Sequence, residues 1–350
     1  MASVYCNLPA LGWDDGFAAS LKPGRIPARV TRVDRGTCDV LTADGERRAA
    51  HSAALKRAAA TDPVALPCVG DWVAIDGDSP IRFQIQEVLP RRSSIVRAGV
   101  APGVAQGQVL AANVDVVYIA EPAVPRVDLG RIERFLALAW ESGARPVVLI
   151  TKADLAPVDL TEVEAAAPGA TVRAVSSLTG EGLEEVRLRG GRTAVLLGKS
   201  GAGKSTLVNA LAGADRMATR EIRAADGRGR HTTVHRELLI LPDGGLIIDT
   251  PGLRSIGLYD AEEGLSQAFS DIEELAGRCR FHDCAHEAEP GCAVLAAAEE
   301  GELSERRLAS WRKLQREAVW TASRTDARLR AEKNRAWKII HRSMRGMNRP

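Results

Sequence analysis

Aromatic side chains make up only 4% of this 350-residue chain, too few for a nucleic-acid surface built on extensive base stacking. Long apolar runs are missing as well. No stretch approaches the roughly 18 residues a membrane span needs, and the start MASVYCNLPALGWDD lacks the basic and apolar segments of a secretion signal. A soluble cytoplasmic protein is the expectation. Cysteine is sparse and unevenly placed: Cys6, Cys38 and Cys68 are scattered, whereas Cys279, Cys284 and Cys292 fall within fourteen residues. That asymmetry argues against a disulfide framework and for one local metal site, with the early three as small core residues or exposed thiols. No internal repeat is present. Net charge is close to absent at +2, yet Glu305 to Pro350 holds fourteen Lys plus Arg against four Asp plus Glu, so the tail carries +10. The remainder holds 33 basic against 41 acidic residues, or −8. Such a tail suits a polyanionic partner or a solvated helix.

What is present reads as several domains, since the chain is too long for one ordinary core. From Arg25 to about Ile95, the short runs IPARVTRV, GTCDVLTADG, GDWVAIDG and FQIQEVL alternate apolar and polar residues between turns. They predict a small antiparallel barrel of OB or SH3-like type. Trp72 alternates with Val73 and Ile75, as a core residue does. Next come VDVVYIAE, PVVLITKAD, TVRAVSS, TAVLLGKSG and GGLIIDTPG, each continuously apolar and each ending in a polar loop. That pattern predicts a mostly parallel sheet covered on both faces by helices such as RIERFLALAWESG and KSTLVNALAG. Ligands of such sheets bind beyond the carboxyl ends of the strands. After about Gly257 the chain reads as helical around the cysteine cluster.

The segment GKSGAGKST runs Gly198, Lys199, Ser200, Gly201, Ala202, Gly203, Lys204, Ser205, Thr206 and satisfies G-x-x-x-x-G-K-[ST] between a strand and an apolar-periodic helix. Its backbone N–H groups suit phosphate oxygens, Lys204 the β and γ phosphates, and the Ser205 hydroxyl Mg²⁺. Downstream, Asp249 ends a strand and leads into Thr250-Pro251-Gly252. Asp249 can hold Mg²⁺ through water, and the Gly252 amide can meet the γ phosphate. Between them, GRGRHTTVHREL offers Thr233, with Thr232 second, as a loop ligand of Mg²⁺. Upstream, Thr151, Lys152, Ala153 and Asp154 follow a buried strand. Asp154 can accept from guanine N1–H and N2–H₂, which selects GTP over ATP, while the Lys152 stem packs along the base. Position 253, where many GTPases carry a water-orienting glutamine, is leucine. His231 is the candidate to position the attacking water instead.

CRFHDCAHEAEPGC presents Cys279, Cys284, His286 and Cys292, a closed tetrahedral set for one structural Zn²⁺; His282 competes as a ligand.

TKAD resembles the base-reading G4 motif [NT]KxD, with Thr151 in the asparagine position. Ser176, Ser177 and Leu178 look like G5, which backs the base with main-chain amides. GKSGAGKS is similar to G1, Thr233 sits at G2 and DTPG at G3. The order G4, G5, G1, G2, G3 is that of circularly permuted GTPases. With the barrel ahead and the cysteines behind, the chain resembles the ribosome small-subunit-dependent GTPase A (RsgA) family over nearly its whole length. The resemblance implies an extension over 1–24, an OB-type barrel over 25–97, a permuted G domain over 106–257 and a helical zinc-binding domain with a basic tail over 258–350. It further implies GTP hydrolysis with Mg²⁺, one structural zinc, the water-positioning role for His231, and a late role in assembly of the 30S subunit. There the monomer would contact 16S rRNA near the decoding region in its GTP form and leave after hydrolysis. The residues by themselves leave other functions open: a P-loop enzyme passing the γ phosphate to a small molecule, an RNA-binding GTPase switch that does not act on the ribosome, or an adaptor with a vestigial nucleotide site.

Overall fold

The computed structural model describes residues 7–79, 82–97, 107–213, 236–249 and 261–325. Cys6, His231, Thr232, Thr233, Thr250 to Leu253 and the tail beyond 325 lie outside the described residues.

The first core forms around Trp72, which is fully buried. Residues Asp15–Ser20 make helix α1, whose Asp14 cap accepts from the N–H groups of Gly16 and Phe17. Trp13 meets the Trp72 ring edge-on at 4.7 Å, and Phe17 lies 5.9 Å from it. Residues 13–20, ahead of the barrel, are therefore part of the folded body, because aromatic packing on Trp72 fixes them.

The barrel strands are β1 (Ile26–Asp34), β2 (Thr37–Thr42), β3 (Gly45–His51), β4 (Trp72–Ser79) and β5 (Arg82–Val88), with helix α2 (Ala53–Thr61) after β3. β1 pairs with β2 and β2 with β3, both antiparallel; β3 pairs with β5 in parallel, β5 with β4 and β4 back onto β1. This five-strand Greek-key closure is of OB type and decides between the two barrels the sequence allows. Alternation in β2 sends Cys38 and Val40 inward, where they join Val30, Ala49, Leu55, Val73 and Ile85. Cys38 and Cys68 are both buried.

A hairpin of β6 (Ser94–Arg97) and β7 (Gln108–Ala112) leads to the second sheet. Its strands are β8 (Val116–Pro122), β9 (Arg145–Thr151), β10 (Thr171–Val175), β11 (Thr193–Leu197), β12 (Glu237–Ile240) and β13 (Leu246–Asp249). They lie in the order β10-β9-β8-β11-β13-β12, all parallel except β12. Every residue of β8 and β11 is buried, as continuous apolarity predicts for strands covered on both faces. Val116 and Tyr118 pack toward helix α5 (Lys204–Ala212), while Val117 and Ile119 face the opposite cluster with Ile132 and Leu136 of helix α3 (Leu129–Glu141). A short helix α4 (Leu160–Ala165) joins β9 to β10. An antiparallel contact of Arg32 with Glu237 ties the barrel strand β1 to β12.

Beyond the sheet lie α6 (Glu262–Ala268), α7 (Ser270–Ala276), α8 (Ala293–Glu299) and α9 (Glu305–Thr325). Gly264 of α6 lies so close to α3 that a Cβ there would sit 2.1 Å from the Ala137 carbonyl oxygen. Buried Glu133 accepts from Arg306 and Arg307, and Arg307 reaches on to Asp271. Arg134 grips Glu317 with two hydrogen bonds of 2.6 and 2.7 Å. Among the described residues, no helix is long and apolar enough to cross a membrane.

Candidate functional site

Because β8, β9, β10, β11 and β13 run in parallel, their carboxyl ends share one edge, and the loops that follow β9, β10 and β11 emerge there together. The phosphate loop leaves β11 at Gly198, whose φ is +150°, and a Cβ there would stand 2.4 Å from the Ala120 carbonyl oxygen. Only glycine lets this strand end pass β8 so closely. Lys199, Ser200, Gly201, Ala202 and Gly203 complete the turn, and the Leu207 N–H donating to the Gly203 carbonyl at 2.8 Å starts α5. Lys204 folds back over the loop, its Nζ donating to the carbonyls of Gly198 and Lys199, each at 2.7 Å. Ser205 and Thr206 occupy the first turn of α5, with Ser205 half-buried and Thr206 exposed. A strand, a glycine turn and a helix N-terminus in this arrangement form a phosphate cradle.

Thr151 closes β9 and is buried, and its hydroxyl donates to the Ala202 carbonyl at 2.8 Å. The threonine that opens TKAD thus holds that segment against the glycine loop. Lys152 turns the chain through the left-handed region at φ 59°, and Ala153–Leu155 form one helical turn that leaves Asp154 exposed. At the end of β10, buried Ser176 accepts from the N–H groups of Leu178 and Thr179 at 3.3 and 3.1 Å, shaping the next loop. Ser177 is half-buried, and Leu178 stands 84% exposed. Asp249 ends β13 on the same edge, opposite Glu237 of β12.

Glu121, at the end of β8, was not singled out in the sequence. It is 1% exposed, accepts from Arg131 Nε at 3.0 Å and from the Asp128 N–H at 3.3 Å, and lies 4.0 Å from Lys199 Nζ. Burial pushes its carboxyl above the ordinary range, and the Arg131 charge pulls the other way. An acidic residue closing a wholly apolar strand is the signal that would have found it.

The second centre lies between α7 and α8. The ligand atoms of Cys279, Cys284, His286 and Cys292 all fall within 4.8 Å of one another. His286 Nδ1 stands 3.4 Å from Cys292 Sγ and 3.6 Å from Cys279 Sγ, and those two sulfurs are 3.8 Å apart. His286 reaches this position from a left-handed backbone, φ 57°, and its ring meets Trp311 of α9 edge-on at 5.7 Å. Cys292 Sγ also accepts from the Leu295 N–H, capping α8. His282, the competing ligand in sequence, is outside the cluster, its side chain 98% exposed. Three sulfurs and one imidazole in so small a volume could hold a metal ion in a closed tetrahedral site.

A P-loop sheet in which the TKAD loop precedes the glycine loop in the chain, with an OB-type barrel ahead and a Cys₃His helical region behind, defines a circularly permuted GTPase. The family model for the RsgA GTPase matches residues 88–259. The small ribosomal subunit biogenesis GTPase RsgA of Streptomyces avermitilis is 54% identical over 93% of this chain and 90% of its own length. Its Streptomyces coelicolor counterpart is 52% identical over 96% and 93%. Among solved structures, YjeQ from Thermotoga maritima superposes with a TM-score of 0.62 at 27% identity, covering 83% of this chain and 97% of that one. YloQ, described as a circularly permuted GTPase, gives 0.58 at 25% identity, with 83% and 94% covered. The chain belongs to the RsgA family of GTPases.

Proposed function

We propose that this protein hydrolyses GTP as a late-stage assembly factor of the 30S ribosomal subunit, binding the subunit and its 16S rRNA in the GTP form and leaving after hydrolysis. The observation that carries the reading is the convergence of the base-reading and phosphate loops on one sheet edge, held together by Thr151, in a chain 54% identical to a small-subunit biogenesis GTPase. In this reading the loop from Gly198 to Thr206 holds the phosphates. Asp154 accepts from guanine, Lys152 lies along the base, and Ser176, Ser177 and Leu178 back it. Ser205, Asp249 and Thr233 hold Mg²⁺, which when bound neutralises charge on the β and γ phosphates. The Gly252 amide meets the γ phosphate and His231 positions the attacking water, since Leu253 cannot. Cys279, Cys284, His286 and Cys292 hold one structural zinc, with no open position for water. The units are 25–97, 106–257 and 258–350, acting as a cytoplasmic monomer. The order of motifs gives this arrangement a purpose: the chain leaves the γ-phosphate loop and passes into the metal-binding helices, so a nucleotide-dependent shift of Gly252 has a direct route to them.

Equilibrium binding of GTP and ATP, followed by turnover of Lys204→Ala and His231→Ala, tests the site. The expected result is binding of GTP and not ATP, loss of nucleotide affinity with Lys204→Ala, and retained affinity with turnover reduced about a hundredfold or more with His231→Ala. Equal affinity for ATP would remove Asp154 from its role, and unchanged turnover would remove His231.

A further inference from the structure

The amino ends of the GTPase strands, at the opposite edge from the phosphate loop, close one side of a cavity of about 420 Å³; Trp13 and Asp14 and the barrel residue Arg29 close another. Arg29 is 1% exposed, yet each of its hydrogen-bond acceptors is neutral: the carbonyls of Leu11 and Asn113 at 3.1 and 3.2 Å, and the Thr193 hydroxyl at 3.1 Å. Its Nε has no hydrogen-bond partner among the described residues, and the Trp72 ring, 5.3 Å from the guanidinium carbon, offers a cation–π contact. A buried charge is ordinarily matched by an opposite one. Burial accordingly pulls the Arg29 guanidinium down to about 10, with Asp115 acting against the shift.

Three more arginines line the same cavity. Arg92 is neutralised by Asp14, with one bond of 2.6 Å. Among the described residues, the Arg145 side chain donates to the Thr171 hydroxyl alone, at 3.2 Å. The Arg192 side chain, which begins no ion pair or hydrogen bond among the described residues, is exposed at the rim. Against these four arginines the cavity lining sets two carboxylates, Asp14 and Asp115, leaving a charge of +2. Asp115 accepts from the Thr193 N–H at 2.7 Å.

We propose that this cavity binds a phosphate group, with Arg145 and Arg192 as its guanidinium donors and Arg29 as the buried charge that its field neutralises. A terminal phosphate dianion, or two adjacent backbone phosphodiesters of one charge each, matches the excess of +2, and guanidinium forks suit their oxygens. The cavity lies at the start of β11 and the nucleotide loop at its end, five residues apart, or roughly 17 Å. An occupant would fasten the barrel to the GTPase sheet without touching the nucleotide. The phosphate has two possible sources with the same chemistry, a free polyphosphate or the backbone of an RNA strand.

The test uses the full chain with GDP and Mg²⁺ in excess, so that the phosphate loop is occupied. Inorganic diphosphate is titrated calorimetrically into the native protein and into the exposed pair R145Q/R192Q, and a fluorescent uridine dodecamer into the same two proteins. Saturable diphosphate binding, weakened about tenfold or more by the pair with GDP affinity unchanged, supports a free-anion site. No diphosphate saturation, but dodecamer binding whose salt slope falls by roughly 1.4 in the variant, supports an RNA backbone phosphate. If neither probe separates the variant from the native protein, the proposal is wrong. A failure to bind GDP would contradict the nucleotide reading and is seen separately.

Discussion

Thr151 directs its hydroxyl to the Ala202 carbonyl at 2.8 Å from a buried position. Thr151→Val keeps the shape and strands that carbonyl, which costs about 1–3 kcal/mol. Chemical denaturation should show the loss, with weakened GDP binding, whereas Thr151→Ser, which keeps the hydroxyl, should stay close to the native protein. Equal behaviour of the two variants would mean that the tether does nothing. Glu121 makes a pH-dependent prediction. Its carboxyl is raised on folding, first by burial and against the pull of Arg131. The folded state therefore holds the proton more tightly than the unfolded state. Stability contributed by the protonated form is lost as pH rises from the ordinary glutamate value through the folded one. Glu121→Gln should remove that slope, so that denaturation midpoints of the two proteins diverge as pH rises through this window. Parallel curves would contradict the assignment.

Helix α3 is the element on which the C-terminal helices are built. Gly264→Ala would drive a Cβ to within 2.1 Å of the Ala137 carbonyl oxygen, so α6 must move, with an expected cost of about 1–3 kcal/mol. The change should appear as faster hydrogen exchange in α6 and α3 together, and unaltered exchange there would mean that the helices separate freely. At this scale the legibility of the sequence follows burial. β8, β11 and β13 could be read because burial on both faces makes them continuously apolar, and β2 because it alternates. β3 could not: Arg47 and Arg48 stand side by side, and its inward residues are Ala49 and His51, so GERRAAH carries neither pattern. The packing of Trp13 and Phe17 on Trp72 was equally hidden, because nothing local marks a segment that is held by a strand far along the chain. The candidate site divides in the same way. The phosphate loop and the cysteine cluster are contiguous in sequence and legible there, whereas Glu121 and the Thr151 tether arise from contacts through space.

Across the whole molecule, the Cys₃His cluster and the GTPase sheet should respond separately to metal removal. Metal analysis should give one zinc per chain, and Cys284→Ser should abolish it. Hydrogen exchange over 270–299 should then rise toward unprotected values while β8 and β11 stay protected, because a closed Cys₃His site contributes to folding directly. Full protection over 270–299 without metal would show that the helices hold themselves. The central claim, a GTPase that answers to the small subunit, is tested most directly by steady-state GTP hydrolysis of the purified protein, alone and with 30S subunits, with 50S subunits and ATP as controls. Slow turnover alone, strong stimulation by 30S and not by 50S, and no activity toward ATP are predicted. Turnover indifferent to 30S subunits, or raised equally by 50S, would contradict the account.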